Sequence, residues 1–204
     1  EDALNYVVPF LLDKGMIAPS PEIRGFCLGF LIKVIKSVRI SLGPVHLPRL
    51  TAALVESLSG LEPRALAYMQ FHTSRLNISD EDLEGMRLKL AQQSPMQEAL
   101  DLCLACLSPD AIALCLHLLC DQLKRGVGLA TLVAAARALS SVSEQYPDII
   151  GHGRPLEAVG RNTFRTTLEA TLQPRSGLAD AVRTAIADTM GTYAKIVHPD
   201  ELAK

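Results

Sequence analysis

The sequence predicts an all-α protein built as an α-solenoid of antiparallel helix pairs. Its composition is 49% hydrophobic but only 4% aromatic, and the dominant residues, Leu and Ala, favour helices over strands. Apolar residues recur at helical spacing along most of the chain, and no segment alternates polar and apolar residues between turn signals. Ser-Pro dipeptides, which are typical of helix starts, precede three apolar segments: Ser20-Pro21, Ser94-Pro95 and Ser108-Pro109.

The first predicted unit spans residues 1–42 and contains two helices. The pattern from Ala3 to Met16 is helical, and Pro9 is expected to bend or divide it. The second helix begins at Ser20-Pro21 and runs through Val38. Its polar and small residues form one narrow stripe, so we expect neighbouring helices to cover its other faces.

Three basic residues, Lys33, Lys36 and Arg39, lie near the end of this second helix. Their charges suit the negative end of the helix dipole and a solvated surface. Contact with an acidic protein partner is the alternative interpretation. These three residues are therefore the predicted partner-contact site.

The second predicted unit spans residues 43–107 and carries an insertion at 73–93. The insertion is more polar than the rest of the chain, and Ser79 resembles the N-cap of a helix in its second half. The predicted helices of this unit run from Leu47 to Leu58, Arg64 to Phe71, Leu83 to Ala91 and Pro95 to Leu107.

Two further units are predicted at residues 108–150 and 154–197, and residues 198–204 resemble the start of another helix. Their helices are expected from Pro109 to Leu123, Gly128 to Tyr146, Leu156 to Leu172 and Leu178 to Val197. A helix start so close to the last residue predicts that the chain is a fragment of a longer array. Terminal repeats without polar caps expose apolar surface, so we expect self-association at high concentration.

A local pattern in two of the helices is similar to the inner helix of a HEAT repeat. Ile23-Arg24 and Val182-Arg183 each precede small or apolar residues that lead to a glycine. We expect the Arg to cap the turn between paired helices, and the small residues to let the next pair approach closely. The spacing exceeds the roughly 40–47 residues of a HEAT unit, and the insertion accounts for the surplus.

The five cysteines are an odd number and lie among apolar residues, which predicts a reducing, intracellular compartment. Cys103, Cys106, Cys115, His117 and Cys120 are residue types that bind zinc. Cys115 and Cys120 lie five positions apart on one helix, however, and cannot converge easily. We expect buried cysteines that pack as small hydrophobic residues, with a zinc site as the alternative.

Other candidate sites have simpler interpretations. Arg125 to Thr131 is glycine-rich but lacks the sequence of a phosphate-binding loop, so we interpret it as a turn between paired helices. The acidic run at Asp80-Glu81-Asp82 with Glu84 is interpreted as a solvated helix start rather than a cation site. The five histidines form no catalytic arrangement. We therefore predict no catalytic residues, cofactor or metal. The net charge of −2 argues against nucleic acid as a partner. The apolar runs are short, which argues against membrane insertion.

A series of motifs resembles one known family. In order they are Leu11-Leu12-Asp13-Lys14-Gly15-Met16, Glu22-Ile23-Arg24, Leu54-Val55-Glu56-Ser57-Leu58-Ser59 with Leu61-Glu62-Pro63 and Tyr68, Ser94-Pro95-Met96, and Arg125-Gly126-Val127-Gly128-Leu129 ahead of Thr131. Their order and spacing resemble the C-terminal half of the proteasome adaptor and scaffold family of very large HEAT-repeat proteins. The resemblance is closest over residues 4–145 and loosest from Pro147 onward.

The resemblance implies a non-enzymatic scaffold of the cytoplasm and nucleus. Members of this family bridge the core and regulatory particles of the 26S proteasome and take part in its quality control, so the implied partners are subunits of those particles. The resemblance carries no catalytic residues over to this chain. A HEAT-repeat scaffold of transport or translation regulation is the alternative function.

Overall fold

The computed structural model describes residues 2–37, 44–61, 64–72, 75, 78–151, 165–170 and 179–196. Regular secondary structure in these ranges is helical throughout, which confirms the all-α prediction. None of the helices that can be searched in these ranges is long and apolar enough to cross a bilayer.

The helices are numbered in chain order: α1 (Asp2–Phe10), α2 (Pro21–Ser37), α3 (His46–Ser57), α4 (Arg64–Phe71), α5 (Asp80–Gln92), α6 (Pro95–Ala105), α7 (Pro109–Arg125), α8 (Leu129–Gln145), α9 (Pro147–Gly151), α10 (165–170) and α11 (Asp180–Ile196). A π-helical turn, Leu11–Gly15, follows α1, and a 3₁₀ turn, Leu58–Leu61, follows α3. The predicted helices over Leu156–Leu172 and Leu178–Val197 lie partly outside the described residues.

Two prolines lie where the helical geometry changes. Pro9 lies inside α1, and the backbone changes to π geometry shortly after it, with the Met16 N–H donating to the Leu11 carbonyl at 2.8 Å. Pro147 begins α9, directly after Tyr146, the C-cap residue of α8. Proline is tolerated in the first turn because the N–H it lacks has no helical partner there.

The helices stack in two layers, as an α-solenoid requires. In one layer the π-helical turn contacts α3 and α3 contacts α7, and α10 adjoins α7 through a hydrogen bond between Thr167 and Cys120. In the other layer α2 contacts α6, α6 contacts α8 and α8 contacts α11. Contacts of α3 with α6 and of α7 with α8 join the layers. The exact boundaries of the four units stay a prediction.

One hydrophobic core runs through the whole stack, from Val8 in α1 to Tyr193 in α11. Small buried residues of α8, among them Ala135, Ala136 and Ala138, allow α11 to approach closely. The Thr189 hydroxyl of α11 lies 2.9 Å from the Ala136 carbonyl. Continuity of the core means that each helix pair is stabilised mainly by its neighbours.

Local signals at the helix starts are largely confirmed. Ser94 and Ser79 are N-caps whose hydroxyl oxygens accept the backbone N–H of Gln97 (3.2 Å) and Asp82 (3.1 Å). Ser108 is also an N-cap residue, but its side chain makes no capping hydrogen bond.

The predicted turn-capping role of arginine is confirmed at Arg24. Its guanidinium donates to the carbonyl oxygens of Ala18 (2.6 Å) and Pro19 (2.9 Å) in the turn before α2. Arg183, the second arginine of the pattern, pairs with Asp180 of its own helix, and the turn before it lies outside the described residues.

The expectation that neighbours cover α2 on nearly all sides is wrong. Only the stripe of Cys27, Leu31 and Ile35 is buried. Phe26 is 73% exposed and Ile23 is 51% exposed. An apolar composition predicted burial, but the π-helical turn and α6 cover only one face of this helix in the described structure.

The turn between α7 and α8 is a glycine turn between paired helices, as predicted. Gly128 has a φ of 101°, and a Cβ atom there would lie 2.4 Å from Oγ of Ser59. The backbone N–H of Thr131 donates to Ser59 Oγ (3.2 Å) and the Thr131 hydroxyl donates to the Val55 carbonyl (3.2 Å). These bonds, the Ser59–Thr131 latch, join the start of α8 to the C-terminal turn of α3, where the Val55 carbonyl also accepts the Leu58 N–H.

We predict that Gly128→Ala destabilises the fold by about 1–3 kcal/mol, because the left-handed backbone is strained for alanine and the added Cβ displaces Ser59. Chemical denaturation measures the free energy of unfolding. Gly25→Ala is the matched control: a Cβ there has nothing within 4 Å, and alanine in a helix stabilises by about 0.5–1 kcal/mol. Equal unfolding free energies for the two variants would contradict this account of the turn.

Candidate functional site

The structure describes two of the three residues of the predicted basic cluster. Lys36 forms an ion pair with Glu98, which joins α2 to α6. Lys33 is exposed, and Arg39 lies outside the described residues. Because the Lys36–Glu98 pair is partly solvated, its contribution to stability is at most about 1 kcal/mol. The role of this cluster toward a partner stays a prediction.

The cysteines lie mostly in the core. Cys27, Cys103, Cys115 and Cys120 are buried, and Cys106 is exposed. Burial raises the pKa of the Cys103 and Cys115 thiols to about 12, with a smaller contribution from neighbouring thiols. Burial also raises the pKa of Cys120, to about 11. These three thiols are therefore protonated at neutral pH and are poor nucleophiles, because nucleophilic attack requires the thiolate.

His117 lies apart from the buried thiols. Its side chain is exposed, and its Nε2 atom lies 3.7 Å from Asp121 one helical turn away. Within the described part of the chain, no three His, Cys, Asp or Glu side chains are placed to hold a metal ion.

The acidic run at the start of α5 has the predicted helix-start geometry. Ser79 accepts from the Asp82 N–H and donates to the Asp82 carboxylate at 2.6 Å. Asp80, Glu81 and Asp82 occupy the first turn of the helix. Negative charge is favourable there because the helix dipole is positive at its N-terminus.

An open groove lies between α5, α8 and α11. One section, of ≈ 480 Å³, lies among Leu88, Val133, Arg137 and Ala185. A second section, of ≈ 460 Å³, lies between the first turns of α5 and α11, and both sections share Leu88 and Ala181. Sequence reasoning did not find this groove, because its three walls are distant in the chain and have no common motif.

Helices α1 and α2 and the turn between them expose a set of large apolar side chains, here called the α1–α2 apolar face: Tyr6, Val7, Phe10, Ile17, Ile23, Phe26 and Phe30. Tyr6 is 80% exposed and Phe10 is 64% exposed. Scattered surface hydrophobic residues are ordinary. Within each of these helices, however, exposed aromatic residues recur four positions apart on one side, as Tyr6 and Phe10 or Phe26 and Phe30 do, which makes them candidates for contact with another protein.

The raised thiol pKa values predict selective labelling. A maleimide reagent at neutral pH should modify Cys106 rapidly and the four buried cysteines slowly, because only an accessible thiolate reacts. Cys106→Ser should therefore remove the fast phase. As a control, all five cysteines should react in guanidinium chloride. Rapid labelling of Cys103 or Cys115 in the native chain would contradict their described burial.

The matches with known proteins all point to one family. The family described as "Proteasome adapter and scaffold protein ECM29, HEAT-repeat domain" matches residues 44–204. The match includes the segment after Pro147, where the resemblance was expected to be loosest.

Two curated relatives match the chain along different lengths. The human "Proteasome adapter and scaffold protein ECM29" is 36% identical over 141 residues, which cover 69% of this chain and 8% of the relative. The Schizosaccharomyces pombe "Proteasome component ecm29" is 20% identical over 200 residues, which cover 98% of this chain and 11% of the relative. The chain thus spans about a tenth of the length of these relatives.

No solved structure gives a significant match to the chain. The family match covers well over half of the sequence, and the human relative exceeds 30% identity over more than two thirds of it. The chain belongs to the HEAT-repeat family of the proteasome adapter and scaffold protein ECM29.

Proposed function

We propose that this chain is a non-enzymatic scaffold segment that binds the 26S proteasome and helps to hold its core and regulatory particles together during assembly and quality control. Membership of an adapter and scaffold family supports this proposal. So does the architecture, since a stack with a continuous core leaves extended helix faces for protein partners.

The observation that carries the proposal is the contrast between interior and surface. The stack buries its core from α1 to α11, yet it keeps the α1–α2 apolar face and the α5–α8–α11 groove open. Surfaces of this kind suit adhesion to proteins. We further propose that the protein acts in the cytoplasm and the nucleus, which imaging of the tagged full-length protein would test.

Deletion of this segment tests the function. We expect that removing residues 1–204 from the intact protein reduces the recovery of core and regulatory particles by affinity purification, because the segment supplies part of the binding surface. Lys33→Glu tests the basic cluster, and Lys14→Glu, an exposed lysine in the π-helical turn, is its charge-matched control. Unchanged proteasome recovery, or recovery of transport cargo or ribosomes instead, would contradict the proposal.

We also propose that the chain alone self-associates through the α1–α2 apolar face. The mass measured by light scattering should rise with concentration, because burying aromatic side chains between copies removes apolar surface from water. Phe26→Ser should reduce this rise. Phe71→Ser is the matched control, because Phe71 is 84% exposed and lies on α4, outside the face. A constant monomeric mass for the unmodified chain would overturn the proposal.

A further inference from the structure

The groove between α5, α8 and α11 combines one face from each helix. Residues 80, 81, 84, 85 and 88 of α5 line it, together with residues 133, 137, 140, 141 and 144 of α8 and residues 181, 184, 185 and 188 of α11. The two sections adjoin at Leu88 and Ala181, so the groove is elongated. This shape suits an extended or helical peptide segment better than a compact small molecule.

The floor of the groove is apolar and has few free polar groups. Leu88, Val133 and Ala185 supply apolar atoms. The Thr189 hydroxyl lies within hydrogen-bond distance of the Ala136 carbonyl (2.9 Å) and the Ala185 carbonyl (2.8 Å), and the Ser140 hydroxyl is paired with Thr192 at 3.0 Å. A ligand therefore meets small and apolar side chains on the floor, where the Thr189 and Ser140 hydroxyls already join α8 to α11.

The walls carry excess negative charge. All three helices contribute carboxylates to the lining: Asp80, Glu81, Glu84, Glu144, Asp180 and Asp188. The described part of the lining also contains one cation, Arg137. Asp180 pairs with Arg183. The guanidinium of Arg137 lies against the side-chain amide of Gln92. Among the described residues, the other five carboxylates have no hydrogen bond or ion pair to their side-chain oxygens.

We propose that the α5–α8–α11 groove is a docking site for a basic peptide segment of a protein partner. Lys or Arg side chains of the partner pair with the wall carboxylates, and its small or aliphatic side chains cover Leu88, Val133 and Ala185. Charge complementarity selects this occupant, because the same walls repel the phosphates of nucleic acids and anionic lipids. The inference rests on the proposed protein-binding role but not on which complex is bound.

The test measures binding of a fluorescein-labelled peptide, Lys-Leu-Arg-Ala repeated three times, to the 204-residue chain by fluorescence anisotropy. We expect saturable binding that weakens as salt is added, because solvated charges are screened. The double variant Glu84→Lys with Asp188→Lys should bind the peptide at least roughly tenfold more weakly than the unmodified chain. Circular dichroism verifies that each variant remains helical.

Two further variants separate docking from general attraction to an acidic protein. Glu56→Lys with Asp101→Lys has the same net charge as the groove variant but alters α3 and α6 outside the groove, so binding should be retained. Gly85→Phe leaves the charge unchanged and fills the groove, because a Cβ at Gly85 has nothing within 4 Å. Phenylalanine also favours the helix relative to glycine, so the fold should persist while peptide binding is lost.

Three outcomes would overturn the docking site: no saturable binding, equal weakening by both charge-reversal pairs, or full binding to the Gly85→Phe variant. Equal weakening would show general electrostatic attraction only. Light scattering in the presence of peptide shows whether the peptide enters a vacant groove or displaces a second copy of the chain. A fall in the measured molar mass on peptide addition would mean that another chain occupies the groove. Unchanged proteasome recovery after deletion of the segment, together with intact peptide binding, would refute the proteasome proposal alone.

Discussion

A pair of helices in this fold cannot bury its apolar surface by itself, and that constraint governs the rest of the structure. Helix α3 is covered only because α6, α7 and α8 all contact it, and α8 is covered in turn by α11. The result is a single core that continues from one helix pair to the next. Where no described helix covers a face, as along part of α2, apolar residues remain on the surface.

Features that depend on nearby residues were predictable from the sequence. Ser94 and Ser79 cap helices because the hydroxyl and the N–H it accepts lie three residues apart. Arg24 reaches carbonyls only five and six residues before it. Such signals determine most helix starts, and they identified the glycine turn before α8.

Features that depend on distant residues were not predictable in the same way. The hydroxyl pair of Ser59 and Thr131 joins positions 72 residues apart, and nothing in either local sequence identifies the other. The apolar pattern of α2 indicated what it could bury but not whether a neighbour would cover it. The groove also depends on residues that are distant in the chain. The insertion places α5 against α8, and α5 thereby forms one wall of the groove.

The polar connections between neighbouring helices differ in their response to dissolved salt. The Ser59–Thr131 latch is formed by largely buried hydroxyl and backbone groups, so dissolved ions affect it little. The contact between α2 and α6 includes the solvated Lys36–Glu98 pair, whose attraction falls as ionic strength rises. The polar link between α2 and α6 is therefore weakened more by added salt than the Ser59–Thr131 latch between α3 and α8.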